Sequence, residues 1–244
     1  MTQEPCWIAH RGGLPENALS SLVSFLKPGG VASGIEFDVQ LTSDRVPVIF
    51  HDYDTERLTG ESGPLVERSW QEVSRLRSQG EPIPRLTDLA SAILALPPTS
   101  RLLNVEFKPT ARARELIQAA SPFFEAMSSI PNTELVLSSF DPRVVDAVMR
   151  EQPGWRIAYL YEDVTALEAL PYFPKNGTGL DLHPKHNLLT EAHIEEYGQA
   201  STTFRTWTVD DPLEAHRILG LGVSQIITND PNALAAATEE ELKS

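Results

Sequence analysis

Cysteine is almost absent. Cys6 is the only one in 244 residues, which excludes an intrachain disulfide framework. It heads an apolar run, Cys6-Trp7-Ile8-Ala9, and reads as a buried thiol rather than a nucleophile. Long hydrophobic runs are lacking too: no stretch approaches the ~20 apolar residues that a membrane span needs. The first residues, Met1 to Pro5, hold no basic stretch leading into an apolar one, so no secretory signal is expected. Positive charge is scarce. Twenty Lys and Arg stand against 34 Asp and Glu, a net charge of −14 with a pI near 4.8. That field repels a phosphate-rich polymer and argues against a nucleic-acid partner. The expectation is a soluble, cytoplasmic protein. No internal repeat, low-complexity tract or interdomain linker interrupts it.

What is present is alternation. The length suits one α/β barrel, whose usual size is about 250 residues, and the 41% hydrophobic content allows a sizeable core. Candidate strands are 7–9, 34–39, 102–107, 135–140, 156–161, 179–183, 204–209 and 225–228, with helix-like stretches between them. Asp141-Pro142, Asp211-Pro212 and Asp230-Pro231 each place a capping carboxylate before a proline at the first helical position. Asn17 stands before Ala-Leu-Ser-Ser-Leu as a further cap, and Thr87 opens Asp-Leu-Ala-Ser-Ala-Ile-Leu. Strand and helix counted eight times predict a single TIM (β/α)8 barrel over residues 1–244. A doubly wound open sheet normally uses fewer strands at this length.

One segment stands outside that count. Gln40 to Phe50 leaves no room for a helix and reads as a β-hairpin extending the second strand, turning near Ser43-Asp44. Folding the chain back about that turn sets His51 opposite Glu36. Residues 53–84, broken by Gly60, Gly63, Pro64, Gly80, Pro82 and Pro84, follow as an insertion too poor in periodic apolar residues for a core of its own. The expected role is a small cap over the barrel mouth that shapes the pocket.

In such barrels active sites lie at the C-terminal ends of the strands. The first strand ends in His10-Arg11-Gly12-Gly13, the second carries Glu36-Phe37-Asp38, and the third Glu106-Phe107-Lys108. Side chains alternate along a strand. Glu36, Asp38, Glu106 and Lys108 therefore face the barrel interior, with Phe37 and Phe107 in the helix-packed layer. Three carboxylates held together repel one another and raise each other's pKa unless a cation joins them. All-oxygen ligation selects a hard divalent cation, Mg²⁺ or Ca²⁺. Beside it, His10 and His51 suit phosphodiester hydrolysis, one taking a proton from the attacking oxygen and the other giving one to the leaving alkoxide. Arg11 and Lys108 offset charge on the phosphate.

These residues resemble the glycerophosphodiester phosphodiesterases. The matching motifs are His10-Arg11-Gly12 with Pro15-Glu16-Asn17, and Glu36-Phe37-Asp38-Val39 with Thr42, Asp44, Pro47, His51 and Asp52. Asn104-Val105-Glu106-Phe107-Lys108, Leu137-Ser138-Ser139-Phe140, Trp207-Thr208-Val209 and Ile226-Ile227-Thr228 follow in family order over almost the whole chain. The resemblance implies release of sn-glycerol 3-phosphate and an alcohol from deacylated phospholipids such as glycerophosphocholine or glycerophosphoethanolamine. Glu36, Asp38 and Glu106 match metal ligands, His10 and His51 the acid–base pair, and Arg11 and Lys108 phosphate contacts. Trp207 matches an aromatic that packs against glycerol, or else fills a barrel layer. Asn17 would support the His10 loop as well as cap the first helix.

Some positions depart from the family pattern. Asp88 carries any acidic role after Pro84-Arg85-Leu86-Thr87, Arg45 stands where a turn glycine is common, and Asp210 where asparagine is frequent. These bear on substrate preference, not on reaction class. Of the other histidines, His183 or the nearby Lys185 reaches the mouth or else serves the fold, and His193 and His216 are expected to be solvated on helices. Asp52 either orients His51 or supports the turn. A phospholipase D or sphingomyelinase D-like enzyme shares the same constellation, but such relatives are usually secreted and disulfide-bonded. A non-catalytic binding protein on a decayed barrel would be expected to have lost one of the five central residues.

Overall fold

The computed structural model describes residues 4–168, 170, 180–198 and 202–241. Strands are β1 (Cys6–Ala9), β2 (Gly34–Leu41), β3 (Pro47–Ile49), β4 (Arg77–Ser78), β5 (Glu81–Pro82), β6 (Arg101–Phe107), β7 (Thr133–Ser139), β8 (Arg156–Tyr161), β9 (Leu180–Pro184), β10 (Arg205–Thr206) and β11 (Gln225–Thr228). Eight of them run parallel in the order β10-β11-β1-β2-β6-β7-β8-β9. Single bridges Leu182↔Phe204 and Lys185↔Trp207 join β9 to the chain around β10 and nearly close the barrel. Strands β2, β6 and β9 are buried along their whole length, as a parallel strand covered on both faces must be. Gly179, which opens the sixth predicted strand, lies outside the described residues. The seventh is shorter than predicted: a regular ladder holds only at Arg205 and Thr206, because the chain beyond shares its bonds between two neighbours. Trp207 gives its carbonyl to His186 N, and Val209 N turns to Ile227 O.

The helices are α1 (Leu19–Phe25), α2 (Glu56–Thr59), α3 (Trp70–Val73), α4 (Leu86–Leu94), α5 (Ala113–Ser128), α6 (Pro142–Glu151), α7 (Thr165–Glu168), α8 (Glu191–Tyr197), α9 (Pro212–Gly220) and α10 (Pro231–Glu241). Asp141, Asp211 and Asp230 accept hydrogen bonds from backbone N–H groups in the first turns of α6, α9 and α10, as their Asp-Pro pairs predict. α4 begins one residue before Thr87. Its first turn is closed by Asp88, which accepts from Arg85 N at 2.9 Å, so a carboxylate at the third helical position does what a threonine was expected to do. Phe37 and Phe107 point outward onto α5, edge-to-face with Phe123 and Phe124 at 6.1 and 6.0 Å. Glu36, Asp38 and Glu106, on the alternate positions, are thereby turned inward.

The hairpin is one residue out of the predicted register. Val39, Gln40 and Leu41 pair with Ile49, Val48 and Pro47. The turn is a three-residue loop, Ser43-Asp44-Arg45, with Arg45 left-handed at φ 68° where glycine was the common choice. Phe37, not Glu36, is therefore the residue across from His51, and the regular ladder has ended by then. What holds the His51 segment is the Gln40 side chain, whose Nε2 donates toward the carbonyls of Phe50, His51 and Asp52 at 2.9, 3.2 and 2.8 Å.

The insertion has a core after all. Leu58, Leu65, Val73, Leu76 and Ile83 pack with Val48 and Phe50 of the hairpin. No single period reveals this, because the apolar residues come from separate short turns and pack on the hairpin residues Val48 and Phe50.

Candidate active site

The His10-Arg11-Gly12 turn follows β1 directly. Arg11 and Gly12 have φ of 51° and 67°, and a Cβ at position 12 would sit 2.7 Å from Leu22 Cδ2 and 2.9 Å from Leu22 N. Glycine is thus required where the turn folds onto α1. The turn brings the Arg11 backbone N within 3.0 Å of Glu36 Oε2 and the His10 ring nitrogen Nε2 to 4.0 Å from the same oxygen.

Glu36 and Asp38 on β2 lie beside Glu106 on β6, and one carboxylate oxygen from each falls within 4.8 Å of the others. This buried cluster could hold a metal ion. Lys108 Nζ donates to Glu106 Oε1 at 2.7 Å and lies 3.3 Å from Asp38 Oδ1. Asn17 Nδ2 donates to Asp38 Oδ2 at 2.9 Å, and the Asp38 N donates to Asn17 Oδ1 at 3.3 Å. Asn17 is therefore not a helix cap. Ala18 occupies that position without a side-chain bond, and the asparagine amide is spent on the carboxylate cluster instead.

Electrostatically the three acids differ. Burial and the charges of Asp38 and Glu106 push Glu36 well above the usual carboxylate range, while the backbone N–H of Arg11 works against them. Its Oε1 is buried without a hydrogen-bond partner among the described residues. Burial and Asp38 raise Glu106 to about 7 despite Lys108. Asp38 is also raised by burial, but Lys108, His51, Arg11 and Asn17 outweigh this and leave it low. The donor set fits a cation of the kind the sequence predicts: oxygen only, excess negative charge, and one oxygen with nothing to bind.

A pH dependence follows. Both glutamates titrate above their unfolded values, so protons stabilise the metal-free fold. For Glu106 that contribution is present below about pH 4 and is lost as pH rises through about 7; Glu36 acts in the same direction. A cation must displace those protons to bind. Added Mg²⁺ or Ca²⁺ is expected to raise the melting temperature more at about pH 8 than at about pH 6. Thermal scans at the two pH values check this, and a larger rise at the lower one would contradict it.

The two candidate acid–base histidines are each held by one nitrogen. His10 Nδ1 is 2.7 Å from Asn229 Oδ1, and the Asn229 amide Nδ2 donates to Asp210 Oδ2 at 2.6 Å. Burial and the adjacent Arg11 guanidinium push the His10 imidazole below its ordinary value. His51 Nδ1 is 2.7 Å from Asp52 Oδ1, the orienting contact among the two roles open to Asp52. Hydrogen bonds from Arg57 and His51 overcome burial and hold Asp52 at about 2. In both rings Nε2 is left for the cavity.

That cavity, about 460 Å³, is lined by His10, Arg11, Glu36, His51, Glu106 and Lys108, and by Trp207. Trp207 Nε1 donates to His183 O at 2.8 Å and its ring stands edge-on to Phe140 at 5.2 Å, which fixes its plane on the wall. Tyr53 is the one residue of the 53–84 insertion among the lining residues. Asp88 is not among them; it pairs with Arg85 at the start of α4. His183 lies beneath the site, fully buried, with Nε2 3.2 Å from Nη1 of the buried Arg205. That same guanidinium nitrogen donates to Asn104 Oδ1 at 2.7 Å, and Asn104 Nδ2 to Ser138 Oγ at 2.9 Å, a polar floor to the pocket. Among the described residues Lys185 pairs with Glu162, at 3.7 Å. His193 is buried, not solvated: the Tyr161 hydroxyl, also buried, lies 2.8 Å from its Nε2 and takes it as its partner. His216 is exposed, as expected.

Asn229, Gln40, Arg57 and Tyr53 escaped the sequence reading. Of these, Arg57 alone carries a sequence signal that could have found it, as the one cation between His51 and Glu67 in an acidic stretch.

Comparison with known proteins establishes the family. The model of the Glycerophosphoryl diester phosphodiesterase family matches residues 9–233. The chain is 28% identical over 244 residues to the glycerophosphodiester phosphodiesterase of Caldanaerobacter subterraneus subsp. tengcongensis, across 93% of this chain and 95% of the relative. It is 28% identical to a probable glycerophosphodiester phosphodiesterase 2 of Mycobacterium tuberculosis, across 93% of this chain and 88% of that one. Among solved structures, a phosphodiesterase from Oleispira antarctica in complex with the product sn-glycerol-3-phosphate superimposes with a TM-score of 0.80. The two are 24% identical, and the match covers 97% of each chain. Fold and site thus define a TIM-barrel enzyme with an acidic, histidine-flanked centre. The chain belongs to the glycerophosphoryl diester phosphodiesterase family, and by that membership it is a phosphodiesterase. Among the described residues no helix is long and apolar enough to cross a membrane.

Proposed function

We propose that this protein hydrolyses glycerophosphodiesters to sn-glycerol 3-phosphate and an alcohol, with one divalent cation, Mg²⁺ or Ca²⁺, held by Glu36, Asp38 and Glu106. The observation that carries the reading is the buried carboxylate trio: Glu36 and Glu106 line a cavity shared by two imidazoles and two cations, and Glu36 Oε1 has no partner among the described residues. When bound, the cation would act as a Lewis acid on a phosphoryl oxygen. Arg11 and Lys108 hold the phosphate from either side of the carboxylates and offset charge that grows on its oxygens. One imidazole takes a proton through Nε2 from the attacking oxygen, and the other delivers one to the departing alkoxide. Asp52 and Asn229 keep the two Nδ1 atoms occupied, so that Nε2 is the nitrogen each ring presents. Trp207 supplies an apolar wall for the glycerol carbons, and Tyr53 brings the insertion to the pocket as a partial cap.

The test is release of glycerol 3-phosphate from a panel that includes glycerophosphocholine and glycerophosphoethanolamine, with EDTA and then metal add-back. Turnover that EDTA stops and Mg²⁺ or Ca²⁺ restores is expected. Indifference to EDTA would remove the metal from the reading. Activity on intact choline lipids, with none on glycerophosphocholine, would replace the substrate class. Phosphorus NMR during turnover distinguishes direct attack by water from attack by the glycerol 2-hydroxyl, since only the latter accumulates a cyclic phosphate.

A further inference from the structure

Arg57 belongs to the insertion, in α2, and does not line the cavity. Its guanidinium nonetheless joins the two sides of the site. Nη2 donates to Asp52 Oδ1 at 2.9 Å and Nε donates to Asp52 Oδ2, while Nη1 donates to Glu16 Oε1 at 2.6 Å. Each acceptor holds a second group. Asp52 Oδ1 also contacts His51 Nδ1, at 2.7 Å, and the other Glu16 oxygen accepts from Arg11 Nη1, at 2.6 Å. The result is an unbroken chain of alternating charge, His51–Asp52–Arg57–Glu16–Arg11, which ends 3.6 Å from Asp38 at Arg11 Nε.

An isolated ion pair on a surface contributes little. This one is neither isolated nor simply superficial. The Arg57 side chain is 52% exposed, but those of Glu16 and Asp52 are 11% and 19% exposed, and the contact to Asp52 is two-pronged. A planar fork can serve two carboxylates at once, whereas an ammonium is a point charge that follows one of them. The insertion's own core is built from Leu58, Leu65, Val73, Leu76 and Ile83, without Arg57. Stability of the insertion therefore does not explain why the arginine is aimed at two acids outside that core.

We infer that Arg57 is a positioning residue, through which the insertion holds the His51 imidazole and the Arg11 guanidinium in fixed relation to one another. The inference rests on the proposed phosphodiester hydrolysis for its kinetic consequences, though not for its geometry. Without Arg57, Asp52 loses both bonds that fix its carboxylate plane, and His51 loses a stationary partner. Glu16 loses one of its two arginines, yet Arg11 keeps Asp38 and its own backbone bond to Glu36. The damage should fall on the chemical step more than on phosphate binding.

The experiment measures kcat and KM of the metal-loaded enzyme on the best substrate of the panel, for Arg57→Ala, Arg57→Lys, Glu16→Gln, Asp52→Asn and the double variant Arg57→Ala/Asp52→Asn. Arg57→Ala is expected to lower kcat by about 10–100-fold, the usual effect of removing a group that orients a functional one, with a smaller change in KM. Arg57→Lys, which keeps stem and charge and so folds even if the alanine variant does not, should recover little. Glu16→Gln should raise KM more than it lowers kcat. The double variant should be no slower than Asp52→Asn alone, because both substitutions act through one contact. Unchanged kcat in Arg57→Ala, full recovery with lysine, or additive losses in the double variant would each overturn the inference while leaving the proposed reaction intact. A readout independent of substrate is the NMR signal of the His51 ring, assigned by its loss in His51→Gln. It should shift in both Arg57 variants, and an unmoved signal overturns the inference even if no glycerophosphodiester is turned over, an outcome that would itself sink only the proposed reaction.

Discussion

Replacing His10 or His51 with alanine is expected to lower kcat by about 10²–10⁴-fold in each case, the usual contribution of a positioned acid or base. Metal binding, followed by calorimetry, should survive in both variants, because neither ring belongs to the carboxylate trio. Folding should survive as well: both side chains sit at the rim, 20% and 30% exposed, outside the hydrophobic clusters. The two losses should not add, since a reaction that needs both proton transfers is already crippled by losing one. The pair can also be told apart. A substrate with a good leaving group, such as a nitrophenyl ester of glycerol phosphate, needs no proton on the departing oxygen. The variant it rescues lacks the acid, and the variant it does not rescue lacks the base. Retained turnover in both alanine variants would remove the acid–base assignment altogether.

Glu36→Gln is expected to separate stability from function. In the metal-free protein Glu36 is buried beside Asp38 and Glu106, which push its pKa well up, and its Oε1 has no partner among the described residues. A glutamine has nearly the same shape. Its carbonyl can still accept from the Arg11 N–H, and its amide N–H groups meet carboxylate oxygens that now attract them. The expected gain is roughly 0.5–2 kcal/mol in the metal-free protein, in the range typical when a functional strain is relieved. It should be larger at high pH, where Glu36 would otherwise be ionised. The same change removes one anionic ligand and is expected to abolish cation-dependent stabilisation and turnover together. Chemical denaturation with EDTA, compared with Mg²⁺, measures both halves. A metal-free variant less stable than wild type would mean that the carboxylates are not in conflict.

Much of the site is legible in the sequence, for particular reasons. Glu36, Asp38, Glu106 and Lys108 could be placed together because a parallel strand has a period of two, and Phe37 and Phe107 had to face the helices. The Asp-Pro pairs marked helix starts because both residues act within one turn. His193 failed for the opposite reason: its burial depends on Tyr161, 32 residues away, needing a hydroxyl partner. Asn17 supports the His10 loop as expected, its N–H donating to Arg11 O at 2.7 Å, but it does not cap α1: that local use is good, and only the approach of β2 offers a better one.

His51 marks the boundary. The hairpin was evident from length alone, but its register turned on Arg45 adopting a left-handed backbone, which shifted every pair by one residue. From the sequence alone come the candidate ligands and bases and the strand ends that carry them, since these follow from short-range alternation and from the eightfold repeat of strand and helix. How each is held is set by the fold: Gln40 under the His51 loop, Asn229 on His10, and Arg57 linked to Arg11 through Glu16. Gln40, Asn229 and Arg57 there reach residues from 10 to 219 positions away through individual side-chain hydrogen bonds. Such bonds leave no period in the sequence and come into being only when the barrel brings its loops to one rim.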